Sequence, residues 1–354
     1  MQEILLKTPS MQGRIRIEAG CVDKLGTLVC GQKNFVVTDT NVRELYPELF
    51  EKYFANAEIF VLPAGEENKT FENLSAILGE MLKAGLSRTS CLFAVGGGVV
   101  GDIGGLAAAL YMRGIACVQV PTTLLAQIDS SVGGKTAINH FGVKNIVGAF
   151  YQPKEVLIDP DFLKTLPKRE LKSGLGEIVK YAALNGEIYC SLLNNEEKFR
   201  ALDFTYLTDL IGLCIQHKRC VVERDEKETW ERKSLNVGHT TGHAIELFFS
   251  LSHGESVLYG MALETRIAIN VGVCDKEYGE SLLGIIKTAI EIEPKGSPDF
   301  SCVQAWAVKV KSDKKNSEDG KICLSVAKSE NEWTLIELTF NEYCEALENA
   351  IKEL

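Results

Sequence analysis

No stretch of these 354 residues is apolar for long enough to cross a bilayer. Runs such as Leu106–Tyr111 fall far short, and no membrane partner is expected. The first residues, MQEILLKTPS, lack a basic region followed by an apolar run, so no signal peptide is expected and the setting is read as cytoplasmic. C-x-x-C spacing is missing, and an odd count of eleven cysteines, scattered singly, argues against a disulfide framework. Such cysteines read as small core residues in a reducing compartment. Basic residues are outnumbered, 38 Lys and Arg against 48 Asp and Glu. The resulting net charge of −10 lacks the basic footprint that nucleic acid demands. Internal repeats and low-complexity segments are also lacking. Histidine is scarce, with five in the chain, so where those five stand is informative.

What is present suits a soluble globular protein: 45% hydrophobic and 24% charged residues. The length exceeds one ordinary core and predicts two domains or one large one. β-branched runs at Arg14–Glu18, Phe35–Thr38, Ile59–Leu62, Cys91–Val95, Cys117–Val120 and Glu155–Ile158 predict strands. Glu72–Ala84 and Gly104–Tyr111 predict helices between them. Strands separated by helices imply a mostly parallel sheet covered on its faces. From Pro160 to about Ile290 the periodicity is helical. After the Gly/Pro/Ser stretch Pro294–Asp299, a hairpin (Lys321–Ala327 with Trp333–Leu338) and a helix Asn341–Lys352 are expected. The fold class read from this pattern is an α/β, Rossmann-like nucleotide-binding domain over 1–158 and a mainly α-helical domain over 159–354. In such an arrangement a site is expected beyond the carboxyl ends of the strands, between the two halves.

Gly96, Gly98 and Gly101 follow the predicted strand Cys91–Val95 and satisfy G-x-G-x-x-G, a spacing that lets backbone approach a pyrophosphate. The usual acidic residue about 20 positions later is missing, so this is not the ordinary dinucleotide fingerprint. Asp39, at the end of an earlier strand, is a candidate for the ribose, or simply a turn residue. Ser131–Thr136 resembles the end of a phosphate-binding ATPase loop, yet position 129 is Asp where that motif needs Gly. Lys135 beside two glycines still suits a substrate phosphate. His239, His243 and His253 fall within fifteen residues. The first two are i, i+4 on one helical face, with Glu246 a turn further, a spacing for a two-histidine metal site. Glu177 and Lys180 would ordinarily be a solvated helical pair. Their apolar neighbours Leu175, Ile178 and Val179 suggest burial, and a buried carboxylate needs a metal or a cation.

Taken in order, Pro63–Glu66 with Lys69, Gly96–Asp102, Tyr111–Gly114, Pro121–Gln127, Asp129–Thr136, Leu166–Glu170, Glu177–Lys180, Leu235–His243 and His253–Glu255 resemble the 3-dehydroquinate synthase family. The resemblance implies a divalent metal, zinc or cobalt, held by Glu177, His239 and His253 rather than by the His239/His243 pair. It implies NAD held by Asp39, Asn41, Glu66, Lys69, Gly97, Gly98, Val99, Asp102, Thr122, Thr123, Leu125, Asp129, Ser130, Lys135 and Lys144. Substrate phosphate is implied to meet Lys135, Asn145, Lys314 and an Arg113 reaching across a homodimer interface, with His243 near the departing phosphate. The substrate carboxylate is implied to meet Lys218 and Arg232, while Lys180 and Asn236 hold hydroxyls or order the site. Val143 and Trp230 stand where the family usually carries glycine, and the segment from His243 to His253 is short.

The implied reaction converts 3-deoxy-arabino-heptulosonate 7-phosphate to 3-dehydroquinate and phosphate, by oxidation, elimination, reduction and intramolecular aldol closure. NAD is then a recycled cofactor. The rival readings are another sugar phosphate cyclase, a metal- and NAD-dependent polyol dehydrogenase, and a non-catalytic nucleotide-binding protein. A dehydrogenase has no use for a phosphate grip, and a binding relic has no use for three metal ligands.

Overall fold

The computed structural model describes residues 2–292, 298–312 and 320–354. The chain divides into two compact units, Met1–Pro167 with Lys218–Lys227, and Lys168–His217 with Glu228–Leu354. The cut thus falls at Pro167 rather than after residue 158, because the turn Pro160–Thr165 inserts Phe162 into the first core. Asp159 also accepts the backbone N–H groups of Gly20 and Val22. The segment Lys218–Lys227 joins the first unit through contacts such as Gln152 donating to Glu226.

The first unit is built on a seven-stranded sheet. Its strands are β1 (Gln2–Lys7), β2 (Gln12–Ile17), β3 (Asn34–Asp39), β4 (Glu58–Leu62), β5 (Cys91–Gly96), β6 (Ala116–Pro121) and β9 (Glu155–Ile158), in the order β1-β2-β9-β6-β5-β3-β4. Only the β1–β2 pair is antiparallel, so the expected mostly parallel sheet is present. Alternation along the central strands feeds two cores. Phe35, Val37, Leu92 and Ala94 point to one face, and Val36, Cys91, Phe93 and Val95 to the other. Helices α1 (Phe71–Lys83) and α2 (Gly98–Leu110) cover the first of these faces. Between β6 and β9 the chain makes an antiparallel hairpin, β7 (Lys135–His140) with β8 (Val143–Phe150), in a stretch where the sequence pattern named no strand.

The second unit is mainly helical. Its principal helices here are α3 (Lys168–Ala182), α5 (His239–Phe249) and α6 (His253–Asn270). The helix α4 (Phe204–Arg224) is shared between the two divisions of the chain. The expected hairpin appears as β10 (Ile322–Ser329) and β11 (Glu332–Leu338), and the closing helix as Phe340–Lys352. Close helix approach is set by glycine. A Cβ on Gly176 of α3 would lie 2.7 Å from the Cα of Gly254 on α6, and one on Gly242 of α5 would lie 2.9 Å from the carbonyl oxygen of Ser256. Any larger residue at these positions would push the helices apart.

Candidate functional site

In the second unit, three helices bring Glu177, His239 and His253 together. Glu177 sits on α3 beside Gly176, so its carboxylate lies against the start of α6. His253 is the first residue of α6, held there by a capping box in which Ser252 and Glu255 satisfy each other's backbone N–H groups. His239 is the first residue of α5, after the left-handed Gly238 (φ 75°).

The Nε2 atoms of His239 and His253 lie 3.3 and 3.2 Å from Glu177 Oε1. Their Nδ1 atoms are occupied elsewhere, His239 by the Val237 carbonyl at 3.0 Å and His253 by Glu246 at 3.0 Å. A carbonyl or carboxylate oxygen only accepts, so both Nδ1 atoms carry a proton and both Nε2 atoms are turned toward Glu177. Two imidazole Nε2 atoms and a carboxylate oxygen, within 4.8 Å of one another and with Glu177 fully buried, form a set that binds protons or, once Nε2 is deprotonated, offers three ligand atoms to a cation. This chemistry fits a divalent metal with three protein ligands. Lys180, equally buried, pairs with the other Glu177 oxygen and lies 4.5 Å from the Tyr181 ring centroid.

Burial alone would raise the Glu177 carboxyl, but Lys180 and His239 hold it well below the usual carboxylate range. Burial alone would lower His253, but Glu177 and Glu246 raise it to about 9 in the protein without metal. A raised folded-state value means that the proton stabilises the fold fully below pH 6.5, the unfolded value, and that this stability is lost as pH climbs through about 9. Thermal unfolding of chelator-treated protein should therefore show Tm falling across that window. A flat profile would mean that His253 is not held between the two carboxylates.

His243 stands beside this set, its ring centroid 5.5 Å from that of His239 and 5.9 Å from that of His253. A second group of possible ligands, His243, Glu246 and His253, shares one imidazole with the first. Arg232 is buried in the turn Glu231–Asn236, and Asn236 donates to Glu228 at 3.0 Å. Lys314 lies outside the described residues.

In the first unit, β5 runs through Gly97 into α2, so the glycine run opens a helix as the motif requires. A Cβ on Gly97 would lie 3.0 Å from Thr123, and one on Gly98 3.2 Å from Ser130. Gly101 has a different task, since a Cβ there would lie 2.9 Å from Gln119 Oε1. Val99 and Asp102 are in the first turns of α2. Thr122 is buried and donates its N–H to the Gly96 carbonyl at 3.0 Å. Leu125 leads into a π-helical turn, Ala126–Ser130, a feature that often marks functional sites and that no sequence signal announced. Asp39 caps the helix Thr40–Leu45 through Val42 N–H at 2.9 Å, and burial raises its carboxyl; Asn41 beside it is exposed.

Lys69 is buried, 2.5 Å from both Asp102 and the Asn145 side-chain oxygen and 3.9 Å from Glu66. Asn139 ties this cluster together. It donates to Glu66 Oε1 at 2.9 Å and accepts the Asn145 N–H at 2.9 Å. Asn139 was not singled out from the sequence, and its placement in the β7–β8 hairpin explains why. Residues expected to serve phosphate (Asn145) and cofactor (Glu66, Lys69, Asp102) therefore share one hydrogen-bonded cluster. Lys218 donates to the Asp129 carbonyl at 2.8 Å and pairs with its carboxylate. Lys135 and Lys144 are exposed on the β7–β8 hairpin. Arg113 is exposed and follows Met112 in left-handed backbone (φ 48° and 68°). Among the described residues no helix is long and apolar enough to cross a membrane.

Residues 59–173 match the family model for the 3-dehydroquinate synthase N-terminal region, and residues 174–316 match that for the C-terminal region. A 3-dehydroquinate synthase of Alkaliphilus metalliredigens is 44% identical over 82% of this chain and 84% of its own length. Among solved structures, 2-deoxy-scyllo-inosose synthase complexed with carbaglucose-6-phosphate, NAD+ and Co2+ superposes with a TM-score of 0.84 at 23% identity, covering 98% of this chain and 99% of that one. At that identity the likeness shows the fold alone. The 2-epi-5-epi-valiolone synthase of Streptomyces hygroscopicus subsp. jinggangensis, with NAD+ and Zn2+ bound, has a TM-score of 0.79 at 26% identity, covering 97% of this chain and 98% of that one.

Proposed function

This chain belongs to the 3-dehydroquinate synthase family, and from that membership we infer how its residues divide the reaction. The reaction is conversion of 3-deoxy-D-arabino-heptulosonate 7-phosphate to 3-dehydroquinate and phosphate, a phosphate-eliminating carbon–oxygen lyase step of aromatic amino acid biosynthesis. The observation that carries the site assignment is the buried convergence of Glu177 Oε1 with the Nε2 atoms of His239 and His253. These three residues hold a divalent metal, and the glycine turn Gly97–Gly98 with Thr122, Thr123, Asp39 and the Glu66–Lys69–Asp102 cluster holds NAD. When bound, the metal supplies Lewis acidity at a substrate hydroxyl oxygen, and NAD supplies a hydride acceptor that is restored within the same turnover.

The side chains supply position and charge. Lys180 offsets the buried Glu177 carboxylate and stands ready for a substrate hydroxyl. Lys135, Asn145, Lys314 and the partner copy's equivalent of Arg113 in a homodimer grip the phosphate, and His243 orients it for departure. Arg232 reads the substrate carboxylate, with Lys218 in support. Asn236 orders the hydroxyls. In this reading an acidic protein reserves a few of its cations for a doubly anionic substrate, which they steer and orient.

Turnover should require NAD in catalytic amounts, with phosphate released and no net NADH formed. The check is parallel measurement of phosphate and of absorbance at the NADH band after adding the heptulosonate phosphate. NADH rising in step with substrate consumed would instead identify a dehydrogenase.

A further inference from the structure

We propose that Glu264 is a positioning residue for the metal ligand His239, capping α5 from α6 in place of the side chain that Gly238 lacks. The inference rests on the assignment of the metal to Glu177, His239 and His253.

The first N–H groups of any helix lack intrahelical partners, and Ser, Thr, Asp or Asn at the N-cap ordinarily meets one of them. The N-cap of α5 is Gly238, which makes no side-chain cap. It cannot be otherwise. Its backbone is left-handed, and a Cβ there would lie 2.8 Å from Met261 N and 2.9 Å from the Val257 carbonyl oxygen. The cap comes from the neighbouring helix. Glu264 Oε2 accepts the Gly238 N–H at 2.8 Å, and Oε1 accepts the Thr241 N–H at 2.8 Å. Its residue is 0% exposed. Val257, Met261 and Glu264 recur at i, i+4 and i+7, one face of α6 turned toward Gly238. A carboxylate at this end of a helix meets the positive pole of the helix dipole, and its bonds to N–H groups are charge-assisted.

The consequence for the site is geometric. The clamped peptide joins Val237 to Gly238, and the Val237 carbonyl is the group that holds His239 Nδ1. The same helix that carries Glu264 begins at His253. One rigid rod therefore presents one ligand directly and fixes the entry of the helix that presents another, which sets the Nε2 atoms without any flexible loop between them.

The test uses the full chain and two variants, Glu264→Gln and Glu264→Ala. Three quantities are read: Zn2+ affinity by chelator competition, the visible spectrum of the Co2+-loaded protein, and Tm after chelator treatment. Gln keeps one acceptor and turns an NH2 toward the other N–H, so it should weaken Zn2+ about tenfold. Ala should weaken it up to about a hundredfold, the range found when an outer-shell partner is lost. Both should shift the Co2+ bands. Asp159→Asn, which alters a buried cap in the first unit, should lower Tm and leave both metal readouts unchanged. If Glu264→Gln lowers Tm like Asp159→Asn but leaves affinity and spectrum as in the wild type, Glu264 is a structural cap only and the proposal is overturned. Should the Ala variant fail to fold, the Gln variant decides. A Glu177→Gln protein that still binds a full equivalent of Zn2+ would instead overturn the metal assignment itself, a separate outcome.

Discussion

Glu177→Gln and His253→Ala are each expected to lose the metal and, with it, turnover, while His243→Ala keeps the metal and loses rate. The three variants are needed together because His253 belongs to both possible ligand groups, the one with Glu177 and His239 and the one with His243 and Glu246. Losing metal in His253→Ala thus fits either group. Glu177→Gln removes only the first, and His243→Ala only the second. If His243 orients the departing phosphate, its loss should lower kcat by roughly a hundred- to thousand-fold, the usual span when one donor to developing charge is removed. The checks are metal content after dialysis and initial phosphate-release rates. Metal retained by Glu177→Gln but lost by His243→Ala would move the centre to the second group. One side effect is predictable. Glu177→Gln takes the counter-charge from buried Lys180, and breaking such a pair costs about 3–5 kcal/mol. Replacing both residues, with Lys180→Met, should recover much of that stability without restoring the metal.

Arg232→Ala should cut kcat/KM for the heptulosonate phosphate by about one and a half to three and a half decades. The basis is the proposed role of Arg232, whose buried planar guanidinium has the geometry to give two parallel bonds to a carboxylate. Losing such a charged contact costs on the order of 2–5 kcal/mol, and each 1.36 kcal/mol or so is a decade. The paired measurement is kcat/KM for sedoheptulose 7-phosphate, which has no carboxylate and should be little affected. Equal losses on both sugars would show that Arg232 does not read the carboxylate. A wild-type preference for the sugar without a carboxylate would point to a different cyclase on the same fold.

Much of the fold could be read in advance because the central strands are buried on both faces. β3, β5, β6 and β9 appear as short β-branched runs with helical spacers, and the sheet they form is the one expected. The β7–β8 hairpin could not be read that way. Its second strand is largely exposed and carries Lys144 and Asn145, so it lacks the buried apolar run that marks the central strands. The π-turn at Ala126–Ser130 is likewise a backbone choice with no residue signature of its own. The lysine–acid pairs were also hidden. Lys69 with Asp102 and Lys218 with Asp129 join residues far apart in the chain, and each cation meets a carboxylate expected to serve the cofactor.

The sequence by itself determined the two-part architecture, the glycine turn after β5, the burial of Glu177 and Lys180, and the grouping of three of the five histidines in one region. Helical periodicity could take the metal site only as far as His239 and His243, because i, i+4 spacing describes one helix and says nothing of its neighbours. The tertiary structure decided which imidazole nitrogens face Glu177 and what fixes them there. It did so through contacts that no local pattern encodes: Gly176 against Gly254, Gly242 against Ser256, Glu246 on His253, and Glu264 on the first turn of α5. Ligand convergence depends on the distance between helix axes. That distance is set by which residues lack a side chain on two different helices at once, a property of the packed pair rather than of either segment.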